Sequence, residues 1–246
     1  MVEVGKFTLE SLTTGMYSDP RIVYREYIQN SVDSIENAVA EGVMLNEEAK
    51  IKVFVDAENG CISIVDNGKG ISVARATNVL LSIGKSTKRQ DANRGFRGIG
   101  RLGGLSYCDR LTFTTSAQGE DVATKIVFDC KLLKSLLSPD HEEELDLQSV
   151  IERITEVEEI DADRDDHFFR VDMDEVDSSS ELLDLDEIKQ YLSEVAPVPY
   201  DEKHFVVAPE IKRFLAEHDY TLTEFNIFIG YDEDHLKQVL KPRNLI

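Results

Sequence analysis

The stretch YREYIQNSVDSIENA, residues 24–38, decides how this chain is read. At helical period Tyr27, Ile28, Val32 and Ile35 share one flank, which needs a core to cover it. Glu26, Asn30 and Asp33, spaced by four and then three residues, line another flank. A carboxylate, an amide and a second carboxylate in one row form either a solvated face or the wall of a ligand site. The preceding SDP (18–20) offers Ser18 or Asp19 as a cap and Pro20 in the first turn, so a long helix is expected over 20–42.

Outward from that helix, residues 7–16 read as a short helix on its N-terminal side. On its C-terminal side, runs 51–56 and 61–66 alternate as strands around the tight turn AENG, a hairpin pattern. Helical stretches follow at 72–82 and 101–108, separated by a basic, glycine-rich segment. RLTFTTS (110–116) and VATKIVFD (122–129) are strands. VIERITEVEEI and HFFRVDMDEV read as two more strands around an acidic turn, an acidic hairpin over 150–175. Helices are expected at 184–195 and 208–218, and a strand at TEFNIFIGYD. The sum is an α+β protein, a two-layer sandwich of a mainly antiparallel sheet with helices on one face and a C-terminal helical extension.

The net charge of −21 sits in one place. Residues 1–138 hold 17 acidic and 17 basic side chains, whereas residues 139–187 hold 21 acidic and 3 basic. That segment repels phosphate backbones, which disfavours direct nucleic-acid binding, and a solvated acidic face accounts for it. No apolar run is long enough to span a membrane, and the N-terminus lacks the build of a signal peptide. Cys61, Cys108 and Cys130 are odd in number and lie in apolar contexts, so reduced, buried thiols of a cytoplasmic protein are expected.

Two glycine motifs stand where a ligand would meet the helix. DNGKG (66–70) follows directly on an apolar strand. There the Asp66 carboxylate can accept from an exocyclic amine while Gly68 and Gly70 let a flat ring approach the backbone, although an ordinary Asn-Gly turn would look the same. GFRGIG (95–100) can present backbone N–H groups to phosphates at the start of a short helix. Six basic side chains and one acid between 85 and 101 suit a polyanionic small ligand, or a solvated loop. A dinucleotide fold is excluded because no strand precedes the glycines and no parallel unit follows. A Walker loop is excluded because Lys85 and Ser86 lack the upstream glycine at the required spacing. Beside a magnesium-bound triphosphate the helix acquires a purpose: Asn30 can supply one hard oxygen, and Glu26 can polarise a water behind the terminal phosphate. Asp33 lies one turn nearer the base or ribose.

Taken together and in this order, MYSDPRIVYREYIQNSVDSIENA, DNGKGIS, LLSIGKSTK and GFRGIGRLGGLSYCDRLTF resemble the GHKL (Bergerat-fold) ATPases. That superfamily includes the ninety-kilodalton heat-shock chaperone, MutL, type II topoisomerase ATPase domains and sensor histidine kinases. The nearest look is to the chaperone's N-terminal domain, over residues 7–130, with a shorter, MutL-like lid between STK and GFRG and with Ile71 in place of a methionine. The resemblance implies Glu26 as general base and Asn30 as Mg²⁺ ligand, with Asp66 as the adenine carboxylate and Gly68 and Gly70 beside the adenine. Gly95, Phe96, Arg97, Gly98, Ile99 and Gly100 would meet the phosphates, Lys85 would lie near the nucleotide, and Thr124 in VATKIVF would be the adenine-site threonine. Histidine kinases carry an asparagine where Glu26 stands, so hydrolysis rather than phosphotransfer is implied.

The resemblance thus implies Mg²⁺-dependent ATP binding and slow ATP hydrolysis, weak without the rest of the protein. It implies a lid, a nucleotide-dependent homodimer and a protein client, as in a chaperone-like clamp. Two alternatives stay open: a nucleotide-sensing interaction module with little hydrolysis, and a MutL-like or phage-defence ATPase in a DNA-linked complex. Residues 1–178 are expected to form the ATP-binding domain, 179–220 a helical linker and 221–246 the start of a transducer-type domain.

Overall fold

The structure, a computed structural model, describes residues 19–82, 100–138, 145–220 and 222–241. The helix expected at 7–16, the basic segment from Lys85 and the glycine motif from Gly95 to Ile99 lie outside the described residues.

The long helix is α1, Ile22–Ala40. Its apolar flank is buried as its spacing requires: Tyr27, Ile28, Val32 and Ile35 are all 2% exposed or less. Asp19 sits before its first turn, accepting from the Arg21 N–H at 2.9 Å and from the Arg21 guanidinium at 3.0 Å. Those bonds hold its carboxyl below the usual carboxylate range.

The hairpin is β1 (Ile51–Asp56) and β2 (Cys61–Asp66), its turn held by Asp56, which accepts from the Asn59 N–H at 3.1 Å. Then come α2 (Val73–Leu81), a 3₁₀ turn (Gly100–Ser106), β3 (Arg110–Ser116), β4 (Val122–Asp129), α3 (Cys130–Leu137) and α4 (Leu147–Ile154). The chain continues through β5 (Thr155–Asp161), β6 (Phe168–Asp174), α5 (Leu185–Val195), α6 (Ala208–Glu217), β7 (Ile227–Gly230) and β8 (Lys237–Gln238).

Among the described residues the eight strands form one sheet in the order β5-β4-β3-β6-β2-β1-β7-β8. Every neighbouring pair is antiparallel except β1 with β7. Register puts Val53, Ile64, Val171, Phe113 and Ile126 in one row of buried side chains. Phe113 packs edge-on against Phe128, ring centroids 5.6 Å apart. Helices cover this face, and α1 is fastened by its Tyr24 hydroxyl, which donates to the Leu182 carbonyl at 2.8 Å.

Three expectations need correction. The acidic hairpin over 150–175 does not exist: residues 150–154 are helical, β5 is an edge strand on β4, and β6 lies between β3 and β2. The cause is an Asp146 cap, whose carboxylate accepts from the Ser149 N–H at 2.7 Å, followed by Val150, Ile151 and Ile154 on one buried helical stripe. The domain boundaries also differ. Residues read as the start of a following domain supply β7 and β8 to the same sheet, with Ile227 and Ile229 buried against β1. The span 179–220 is likewise no linker, since Ile188 and Leu192 of α5 are fully buried in the same core. Cys108 and Cys130 are buried free thiols 4.0 Å apart, and Cys61 is free and half-buried. Among the described residues no helix is long and apolar enough to cross a membrane.

Candidate nucleotide site on helix α1

Asp66 ends β2 and is 2% exposed, so desolvation is the largest influence on it and pushes its carboxyl up to about 7. Hydrogen bonds from the Ser31 hydroxyl, the Gly68 N–H (2.9 Å) and the Ser34 hydroxyl work against that shift, as does the charge of the His167 ring. Ser31 and Ser34 belong to α1, so the helix of the opening stretch grips the carboxylate directly.

The turn after Asp66 is pinned from several sides, Asn67 bonding to Lys50 and to the Glu48 carbonyl. The Lys69 N–H donates to the Ser34 carbonyl at 3.2 Å, tying the turn to α1. The Ile71 N–H donates to Thr115 Oγ1 at 2.8 Å, and that hydroxyl donates on to the Phe168 carbonyl at 2.9 Å. The His167 Nδ1 lies 2.8 Å from the Gly68 carbonyl. Gly70 is required twice over: its φ is +64°, and a Cβ there would strike the Ser116 carbonyl. Downstream, Glu120 accepts from the Val73 N–H at 3.0 Å and caps α2.

The second cluster lies toward the N-terminal end of α1. A Cβ on Gly100 would land on the Glu26 carboxylate, so the last glycine of the 95–100 motif abuts the candidate base. Tyr27 holds that approach, its hydroxyl donating to the Arg101 carbonyl and accepting from the Gly104 N–H, both at 3.0 Å. Glu26 pairs with Arg25 at 3.1 Å in a half-exposed contact of little energetic weight, and so stays reachable. Between the clusters, Asn30 is half-buried, and Asp33 is buried and accepts from Gln29 Nε2 at 3.0 Å.

Glu26, Asn30, Asp33, Asp66, Gly68, Gly70 and Gly100 therefore gather along one helix. Lys85, Gly95, Phe96, Arg97, Gly98 and Ile99 lie outside the described residues. Thr124 is not brought to Asp66. Register sets Asp66, Phe169, Thr115 and Thr124 in one row across β2, β6, β3 and β4, which leaves Thr124 three strands away, about 14 Å. Its Oγ1 is buried without a partner. The threonine at the glycine turn is Thr115. Its signal was present in β3, where Leu111, Phe113 and Thr115 share a face and a hydroxyl interrupts an apolar row. His167, 99 residues from Gly68, had no local signal. Arg101, counted with the basic segment, is committed to structure: its half-buried guanidinium donates to the Leu80 carbonyl at 3.1 Å and to the Ser82 carbonyl at the end of α2.

A triphosphate with Mg²⁺ fits these residues. A buried acceptor stands at one end, the carboxylate of Glu26 at the other, Asn30 offers a hard oxygen between them, and Gly70 and Gly100 permit the close approach of the Ser116 carbonyl and the Glu26 carboxylate that a side chain would block.

Residues 17–163 match the family described as histidine kinase-, DNA gyrase B-, and HSP90-like ATPase. Chaperone protein HtpG of Rickettsia rickettsii (strain Sheila Smith) is 31% identical over 137 residues, covering 48% of this chain and 22% of that protein. HtpG of Acinetobacter baylyi is 30% identical over 129 residues, covering 45% and 20%, and that of Geobacter metallireducens 30% over 137 residues, covering 48% and 21%. The chain thus spans about a fifth of the length of the curated relatives it matches. With more than half of its length inside the family match, the chain belongs to the histidine kinase-, DNA gyrase B- and HSP90-like ATPases.

Proposed function

We propose that the chain binds Mg²⁺-ATP along α1 and hydrolyses it slowly. The observation that carries this reading is the pairing of two glycine sites on one helix: a buried Asp66 gripped by Ser31 and Ser34, and Glu26 abutting Gly100. Asp66, ionised, accepts from the exocyclic amine of adenine. The triphosphate runs back along the helix toward Gly100 and the glycines before it. Glu26 orients a water at the terminal phosphate and takes its proton as the water attacks. Asn30 would hold Mg²⁺, which neutralises charge on the phosphates.

The wider role belongs to the same proposal. Closure of the short lid between STK and GFRG over the triphosphate and pairing of protomers would make the chain one half of an ATP-driven clamp acting on a protein client, a reading that the name of the HtpG relatives, chaperone protein, supports. Substitution Glu26→Gln tests the chemistry. ATP affinity should survive while phosphate release falls by about 10²-fold or more, the usual scale for removing a general base. Turnover unchanged in that variant would sink the assignment of Glu26.

A further inference from the structure

The ladder between β2 and β6 ends at Asp66 and Phe169. Continued by two residues it would set Gly68 level with His167, but the strands part there, because the Gly68 N–H turns back to Asp66. A side chain takes over from the backbone: His167 Nδ1 lies 2.8 Å from the Gly68 carbonyl. A carbonyl oxygen only accepts, so Nδ1 carries the proton of this bond and donates it.

We infer that His167 is a positioning residue for base selectivity, holding the 66–70 turn so that Asp66 faces a 6-amino purine as an acceptor. This rests on the ATP reading and adds a residue to it. Two effects converge on the turn. The imidazole occupies the Gly68 carbonyl, leaving Asp66 as the acceptor the turn presents, and its charge favours the ionised carboxylate. A 6-oxo purine would set its own acceptor against that carboxylate, an unpaired contact in a buried site. Without His167 the Gly68 carbonyl is released and one tie on the turn is lost, while those of Asn67 to Lys50 and Glu48, Lys69 to Ser34 and Glu41, and Ile71 to Thr115 remain.

The test uses His167→Asn, whose amide takes the place of Nδ1, and His167→Gln, whose amide reaches the place of Nε2. ATP, GTP and inorganic triphosphate are titrated calorimetrically into the full chain and both variants, with thermal melting as a check on folding. Asn should keep ATP affinity within about threefold, whereas Gln should lose about tenfold for ATP, one hydrogen bond's worth, and nothing for triphosphate. The ATP to GTP ratio should fall in Gln alone. The assignment is overturned if Gln binds ATP as the unsubstituted chain does, if both variants lose ATP and triphosphate equally, or if Asn fails as Gln does. If the unsubstituted chain binds no ATP, the ATP reading itself fails and takes the assignment with it.

Discussion

At the scale of single residues, Asp66 is a buried carboxylate shifted into the neutral pH range. An unfolded aspartate titrates near 4, whereas burial holds this one at about 7. The folded state therefore keeps a proton that the unfolded state has lost. The resulting stabilisation is fully present below about pH 4 and disappears as pH rises through about 7. Against an Asp66→Asn variant, whose side chain does not titrate, the unsubstituted chain should lose melting temperature between about pH 4 and about pH 7 and level off above. The same titration governs the ligand. An exocyclic amine needs an ionised acceptor, so ATP affinity should rise between pH 6 and 8, and calorimetry at those two values reads it directly. A flat pH profile would mean that the carboxylate is ionised throughout or does not meet the base. Asp66 was legible only through the ordered set of motifs, because DNGKG alone looks like an ordinary Asn-Gly turn. His167 was not, because it reaches the turn from the start of a distant strand, and the hydroxyl of Thr115 in the apolar row of β3 could be assigned to the turn only once the fold had set the strand order.

At the scale of elements, the 3₁₀ turn Gly100–Ser106 and α1 act as one unit through Tyr27. Tyr27→Phe keeps the buried ring but orphans the Arg101 carbonyl and the Gly104 N–H, which should cost about 1–3 kcal/mol in urea unfolding. Gly100→Ala pushes a methyl against Glu26. Because the carboxylate sits on a flexible side chain it can swing aside, so the variant should fold and bind ATP while phosphate release falls at least about tenfold. Retained turnover would mean that Glu26 acts from another position. The α1 helix was readable because its apolar and polar flanks separate cleanly at helical spacing. Residues 147–161 were not. Acidic residues at Glu152, Glu156, Glu158 and Glu159 break the apolar pattern, and helix gives way to strand at Thr155 without a glycine or proline to mark it.

At the scale of the whole molecule, one sheet takes strands from nearly the full length of the described chain. The parallel pairing of β1 with β7 is the contact that sequence reasoning missed, since parallel neighbours can lie far apart in the chain. It makes the C-terminal strands part of the core that supports α1 and the β2 turn. A chain ending at residue 178 would lose α5 and expose β1 as an open edge, so it should aggregate or melt without a cooperative transition. A sharp transition at the full chain's temperature would show that β7 and α5 are dispensable. The acidity is spread over exposed positions: Glu156, Glu158, Glu159 and Asp161 line the β5 edge, far along the sheet from β1. Charge on that edge blunts strand addition by other chains.

The most direct measurement of the central claim is calorimetric titration of the full chain with ATP, ADP and GTP, with and without Mg²⁺, beside Asp66→Asn. Saturable binding of ATP and ADP, weaker binding of GTP, and its loss in the variant are the predicted results. Binding that ignores the base, or that survives Asp66→Asn unchanged, would contradict a nucleotide site with adenine at the buried end of β2.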